Sequence, residues 1–179
     1  MSEFLDEKDK KILELESRRK LYELTQLYAG CHFREIERKS NMSAATVKYH
    51  LSYLSKHGLI KETKDNNTIR YFPREFVSEH TQLMCLLRQK NVRDILLFIL
   101  FNPQCNHEQI VTAIKLSPST VSWHLRKLET GNIIGFVKDG RKTCFSLLID
   151  PEQIVKLFIT YQKSFLDELV DRVIQMWDV

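Results

Sequence analysis

Apolar residues along the chain fall at helical spacing, then at alternating spacing, and they do so twice. Leu21, Leu24, Leu27 and Tyr28 share one helical face behind Ser17, which reads as an N-cap, and Gly30 stops the run. A short second helix is predicted from Phe33 to Lys39. A third starts at Ser43 and buries Val47, Leu51 and Leu54. The period then changes to two. Leu59-Ile60 leads into Lys61–Lys64, the polar turn Asp65-Asn66-Asn67, and a return strand over Thr68–Phe72. The second round opens with Asn91 as cap before Ile95, Phe98 and Ile99, and Asn102-Pro103 ends it. A helix over His107–Ile114 follows. The next is capped by Ser117, with Pro118 at its first position and Val121, Leu125 and Leu128 buried. Ile133-Ile134-Gly135-Phe136-Val137 and Lys142–Phe145 then flank Asp139-Gly140, a strong hairpin signal.

The two rounds align without a gap at an offset of 74 residues. Between 43–60 and 117–134, seven of eighteen positions are identical: Ser43/Ser117, Thr46/Thr120, Val47/Val121, His50/His124, Leu51/Leu125, Leu54/Leu128 and Ile60/Ile134. One supersecondary unit is used twice. Each unit reads as a helix-turn-helix followed by a β-hairpin, which is a winged helix. The expected fold is mainly α with small β-hairpins (α+β): two tandem winged helix-turn-helix domains plus a C-terminal helix. The expected boundaries are 1–74, a helical joint over 75–90, 91–149 and 150–179. In the last segment Ile154, Phe158, Tyr161, Phe165, Leu169, Val173 and Trp177 recur at helical spacing. That stripe reads as a dimerisation helix, favoured here, or as a brace across both units.

Composition changes the picture little, and charge changes it more. Hydrophobic residues make up 43% of 179 and charged residues 28%, which excludes a disordered chain. The longest apolar run, Ile95 to Phe101, is too short to span a membrane, and no secretory leader is legible, so a cytoplasmic location is expected. The net charge of +4 is unevenly spread: −3 over 1–16, +6 over 17–73, +3 over 93–149 and −3 over 150–179. Each repeat is thus a positive block, suited to a polyanion.

Three segments resemble the winged-helix transcriptional regulators of the broad MarR/ArsR-like class: Cys31–Ile36, Thr46–Leu51 with Leu54 and Gly58-Leu59-Ile60, and Leu116–Leu125. The archaeal tandem winged-helix regulators are the most similar, over residues 9 to 148. The resemblance implies a DNA-binding transcriptional regulator. The chain departs from the pattern at Gly131-Asn132-Ile133, where a changed turn into the second wing is expected.

In the third helix of each unit, the face opposite the buried stripe carries Ala44, Ala45, Lys48, Tyr49, Ser52 and Lys56, and then Pro118, Ser119, Ser122, Trp123, Arg126 and Thr130. Small residues in the first turn let the backbone approach base edges, and Ser, Thr and Lys bond to bases or phosphates. Ser43, Thr46, Ser117 and Thr120 complete this set. Tyr49 and Trp123 either face DNA or pack on the wing. His50 and His124 are expected to satisfy a local backbone group. Lys64 and Arg70, and Lys138, Arg141 and Lys142, flank the hairpin tips, where phosphate or minor-groove contact is expected.

The four cysteines form no CxxC pair, so no metal site is expected. Cys31 and Cys105 each precede a second helix, near His32 and His107. There a redox sensor with a lowered thiol pKa competes with a plain structural role, which is preferred. No phosphate loop, HExxH or GxSxG appears, so neither an enzyme nor a cofactor is expected. Double-stranded DNA and a second copy are the expected partners; an effector or transcription-machinery partner stays open. The competing reading is a tandem winged-helix scaffold for protein–protein contact, such as a chromosome-condensing or transcription-machinery accessory subunit. Lys48, Lys56, Arg126 and the wing cations argue against it.

Overall fold

The computed structural model describes residues 5–65, 67–140 and 142–165. In the first repeat, α1 (Glu7–Leu13) and α2 (Glu16–Leu27) precede a two-residue strand, β1 (Cys31–His32). Then come α3 (Phe33–Ser40), α4 (Ala44–Lys56) and the hairpin β2 (Ile60–Asp65) and β3 (Thr68–Pro73). The second repeat runs α5 (Thr81–Leu87), α6 (Lys90–Phe101), β4 (Cys105–Asn106), α7 (His107–Ile114), α8 (Pro118–Thr130), β5 (Ile134–Asp139) and β6 (Lys142–Leu147). Each of these elements starts and ends 74 positions after its counterpart. A last helix, α9 (Pro151–Thr160), follows.

The sequence repeat is therefore a backbone repeat. Left-handed backbone recurs in the same places: Gly30 (φ 76) and Gln104 (φ 63), Asn41 (φ 56) and Lys115 (φ 57), Gly58 (φ 72) and Asn132 (φ 53). The last pair resolves the departure at Gly131-Asn132-Ile133. Asn, which tolerates positive φ better than most side chains, makes the turn that Gly58 makes, and the second wing is intact.

Each sheet has three strands, ordered β1-β3-β2 and β4-β6-β5, all antiparallel. The third strand was not read from the sequence. It pairs Cys31 with Tyr71 and Cys105 with Phe145, tying the start of each helix-turn-helix to its wing. Beneath the first sheet and helices lies a core of Leu21, Ile36, Val47, Leu51, Leu54, Leu59 and Ile60. The predicted stripes Val47/Leu51/Leu54 and Val121/Leu125/Leu128 are all buried, as burial of one helical face requires.

Three local expectations are corrected. Ser17 and Asn91 lie inside their helices. α2 starts at Glu16 after Leu15, and α6 at Lys90 after Gln89, neither with a side-chain cap. The short step from α1 or α5 and the packing of the following apolar residues set these starts, so a polar cap was the wrong signal. The joint is also not one helix. It is a 3-10 turn (Ser78–His80) followed by α5, which repeats α1. Finally, the helix expected across 150–179 stops at Thr160. Ile154, Phe158 and Phe165 are buried within the chain, and Tyr161 packs on Phe76 with ring centroids 5.2 Å apart. Ser164 Oγ donates to the Ala29 carbonyl at 3.4 Å. Those four side chains thus pack within the chain. Leu169, Val173 and Trp177 lie outside the described residues.

The chain divides into two compact units: one holds the residues up to Thr81 and the segment beginning at Tyr161, the other holds Gln82–Thr160.

Candidate nucleic-acid interface

α4 and α8 are each started by a serine. Ser43 Oγ accepts from the Thr46 backbone N–H at 3.2 Å, and Ser117 Oγ accepts from Thr120 N–H at 3.2 Å. Both hydroxyls also bond the following threonine, at 2.8 Å and 2.7 Å. Ser43, Thr46, Ser117 and Thr120 thus fix the first turn. Ala44 and Ala45, and Pro118 and Ser119, stand exposed on it. Such a turn lets a surface approach the backbone closely, with orphan N–H groups pointing outward.

Farther along α4, Lys48, Tyr49, Ser52 and Lys56 are exposed; along α8, Ser122, Trp123, Arg126 and Thr130 are. Tyr49 and Trp123 are turned to the surface. More than half of each side chain is open, and the rings meet His50 (5.0 Å) and His124 (4.9 Å). The Lys127 ammonium lies 3.6 Å from the Trp123 ring centroid and donates to Gln89 Oε1 at 2.9 Å. Ser122 Oγ donates to the Pro118 carbonyl and meets His107 Nε2, both at 2.9 Å, tying α8 to α7.

The two histidines sit under this surface rather than on it. Both are buried and neither Nδ1 has a hydrogen-bond partner, so the expected backbone bond is absent. Burial, and then the Arg18 charge, lowers the His50 pKa below its ordinary value. Burial, and then Lys127, does the same to His124. Neutral imidazoles fill these positions at neutral pH.

The wing cations divide. Lys64, Lys138 and Lys142 are exposed, and Arg141 lies outside the described residues. Arg70 is turned inward. Its guanidinium bonds Asp65 Oδ2 at 2.7 Å and the Gly30 carbonyl at 2.9 Å, and its side chain is 11% exposed. It locks the wing to the loop before β1 and is not available to a phosphate. An alternating strand pattern cannot distinguish an arginine on the solvent face from one captured by a carboxylate across the hairpin.

Sequence reading missed part of the surface. On α3, Arg34, Arg38 and Lys39 are exposed, where α7 carries Glu108, Thr112 and Ala113. The signal was present as a basic cluster leading into the third helix. Cys31, Cys85 and Cys105 are buried, and burial pushes the Cys105 thiol up, against the lowered pKa a sensor needs. Among the described residues, no cluster of three His, Cys, Asp or Glu side chains can hold a metal, and no helix is long and apolar enough to cross a membrane.

An uncharacterised HTH-type transcriptional regulator of Methanocaldococcus jannaschii is 29% identical over 137 residues, covering 76% of this chain and 34% of that protein. A family model described as an N-terminal HTH domain matches residues 15–83, and one described as winged helix-turn-helix DNA-binding matches residues 88–134. Helix-turn-helix models thus match both repeats, and the chain carries two winged helix-turn-helix units in tandem. It spans about a third of the length of its archaeal relative. Among solved structures, this tandem winged-helix chain is similar to ScpB of Mycobacterium tuberculosis (12% identity, 79% of this chain and 93% of that one, TM-score 0.30). It is also similar to the DIP2311 protein of Corynebacterium diphtheriae (10% identity, 77% and 27%, TM-score 0.31). Scores this low carry no functional argument.

Proposed function

We propose that the chain binds double-stranded DNA with sequence preference and regulates transcription, acting as a homodimer. α4 and α8 are the reading helices, their first turns at the major-groove edge, and Lys64, Lys138 and Lys142 meet the backbone. One observation carries this reading. In each unit, a serine-capped helix presents small residues in its first turn and a basic side chain beyond them, Lys48 in the first unit and, one turn farther along, Arg126 in the second. The first unit supplies more of the electrostatic affinity, because Arg34, Arg38 and Lys39 stand on the helix before its reading helix.

Selection of duplexes from a random pool, followed by fluorescence anisotropy, tests the proposal. Enriched sites should bind more tightly than random duplex, with affinity falling steeply as salt rises. Lys48→Ala should weaken the selected site. No enrichment, with no measurable binding at low salt, would return the chain to the scaffold reading.

A further inference from the structure

Each reading helix carries one large exposed ring at the same place. Tyr49 on α4 is 61% exposed and Trp123 on α8 is 54% exposed. The buried face of α8 holds Val121, His124, Leu125 and Leu128. Helical spacing sets Trp123 on the opposite side, close to Ser119 before it and to Arg126 and Thr130 after it, all of them exposed. The indole thus stands at the middle of the outward face, between the small first turn and the cation Arg126.

Single exposed aromatic side chains are ordinary on a protein surface, but this one is held in place. Its ring meets the ring of the buried His124 with centroids 4.9 Å apart, and the Lys127 ammonium lies 3.6 Å from its centroid. Lys127 is in turn anchored on Gln89 Oε1 at 2.9 Å. The ring is preset, more than half open, and flanked by two cations that suit a polyanion. An indole has one N–H donor and no acceptor, and the rest of it is apolar. Among the base edges in a major groove, thymine alone adds an apolar group, the C5 methyl, beside its O4 acceptor. Cytosine at the same place offers an amino donor, which the indole would strip of water and could not bond.

We propose that Trp123 is a specificity-determining residue that selects thymine by covering its C5 methyl group. The proposal rests on the reading of α8 as a major-groove helix. The first unit supplies the contrast. Tyr49 occupies the matching position, but its ring ends in a hydroxyl that donates and accepts, and so suits polar base edges or a phosphate. The residue that matches Lys127 is Tyr53, which stacks on His57 with centroids 4.1 Å apart. Demand for a methyl group therefore belongs to the second unit.

A duplex selected by the full chain from a random pool carries the test. Each thymine is replaced in turn by deoxyuridine, which lacks only the methyl group, and affinity is read by fluorescence anisotropy. At one or two positions the wild type should bind about fourfold more weakly, the worth of burying one methyl-sized group. Cytosine there should be weaker still, and 5-methylcytosine should bind about fourfold better than cytosine. Trp123→Ala should bind the thymine and deoxyuridine duplexes alike, compared at salt low enough for backbone contacts to hold the variant. Trp123→Phe, which keeps an apolar ring, should restore the difference. Methyl removal that matters nowhere, a difference that persists in Trp123→Ala, or 5-methylcytosine no better than cytosine would each overturn the proposal. A chain that binds no duplex at low salt fails on the regulatory reading and takes this proposal with it. A chain that binds with sequence preference yet ignores the methyl group refutes the role of Trp123 alone.

Discussion

Arg70 and Lys64 look alike in the sequence, two cations on one hairpin, and the structure gives them different tasks. Replacing each by alanine separates those tasks. Arg70 makes two charge-assisted hydrogen bonds, to Asp65 at 2.7 Å and to the Gly30 carbonyl at 2.9 Å, from a side chain 11% exposed. Bonds of this kind contribute about 1.5–3 kcal/mol each, less what water regains at Asp65, so Arg70→Ala should cost about 2–4 kcal/mol. For a unit of this size, that lowers the melting temperature by at least about 8 °C. Lys64 is exposed, so its removal should leave the melt within about 0.5 kcal/mol of wild type. Its effect belongs in DNA binding: the slope of log affinity against log salt should become shallower by about 0.9, one phosphate contact. Circular dichroism melts and anisotropy titrations at several salt concentrations read both quantities. If Arg70→Ala melts like wild type and flattens the salt slope by one contact, the inward assignment of Arg70 is refuted.

Two further outcomes follow from the same geometry. Ser43→Ala and Ser117→Ala should each lose about 1 kcal/mol of stability with the helix content retained, measured by urea denaturation, and Ser17→Ala should lose far less, because Ser17 caps nothing. Stability should also fall in acid. His50 and His124 have pKa values lowered from 6.5 in the folded chain. The unfolded chain therefore binds protons first, and stability present above pH 6.5 is lost as the pH falls toward the folded values. The slope is at most about 1.4 kcal/mol per pH unit for each histidine. His50→Gln with His124→Gln should flatten that profile, and an unchanged profile would show that other groups set it.

The fold was legible because its periodicities are unmixed. The stripe Val47, Leu51, Leu54 and its copy at 121, 125 and 128 admit only a helix with one buried face, and Asp139-Gly140 between β-type runs admits only a tight hairpin. Short elements left no such trace. β1 and β4 are two residues long, and no period can be read from two residues. They exist because Cys31 and Cys105 find partners on a strand about forty positions away. The interface was half legible. Which side chains of α4 and α8 face outward follows from the stripe, but whether an exposed-looking cation is already held depends on neighbours distant in sequence. Arg70 and Gly30 are forty residues apart. Arg34, Arg38 and Lys39 were passed over for the opposite reason: charges at a helix end are common as solvated surface, and only their absence from α7 gives them weight.

That asymmetry supports a final test of how many units touch DNA. The backbones of α3 and α7 begin and end at equivalent residues, and their exposed positions differ, so side chains on one can be placed on the other without disturbing a core. Glu108→Arg, Thr112→Arg and Ala113→Lys together give α7 the cations of α3, at three exposed sites. If the second unit lies on DNA as the first does, the graft should steepen the salt slope by roughly 0.9 for each new phosphate contact, about two to three in all, with sequence preference kept. A duplex too short for two units should show a smaller gain than a long one. If the second unit stands clear of the duplex, the slope should stay at its wild-type value on every length, even though the protein has become more basic. An unchanged slope would refute the assignment of α8 as a second reading helix and leave α4 as the only one on the DNA.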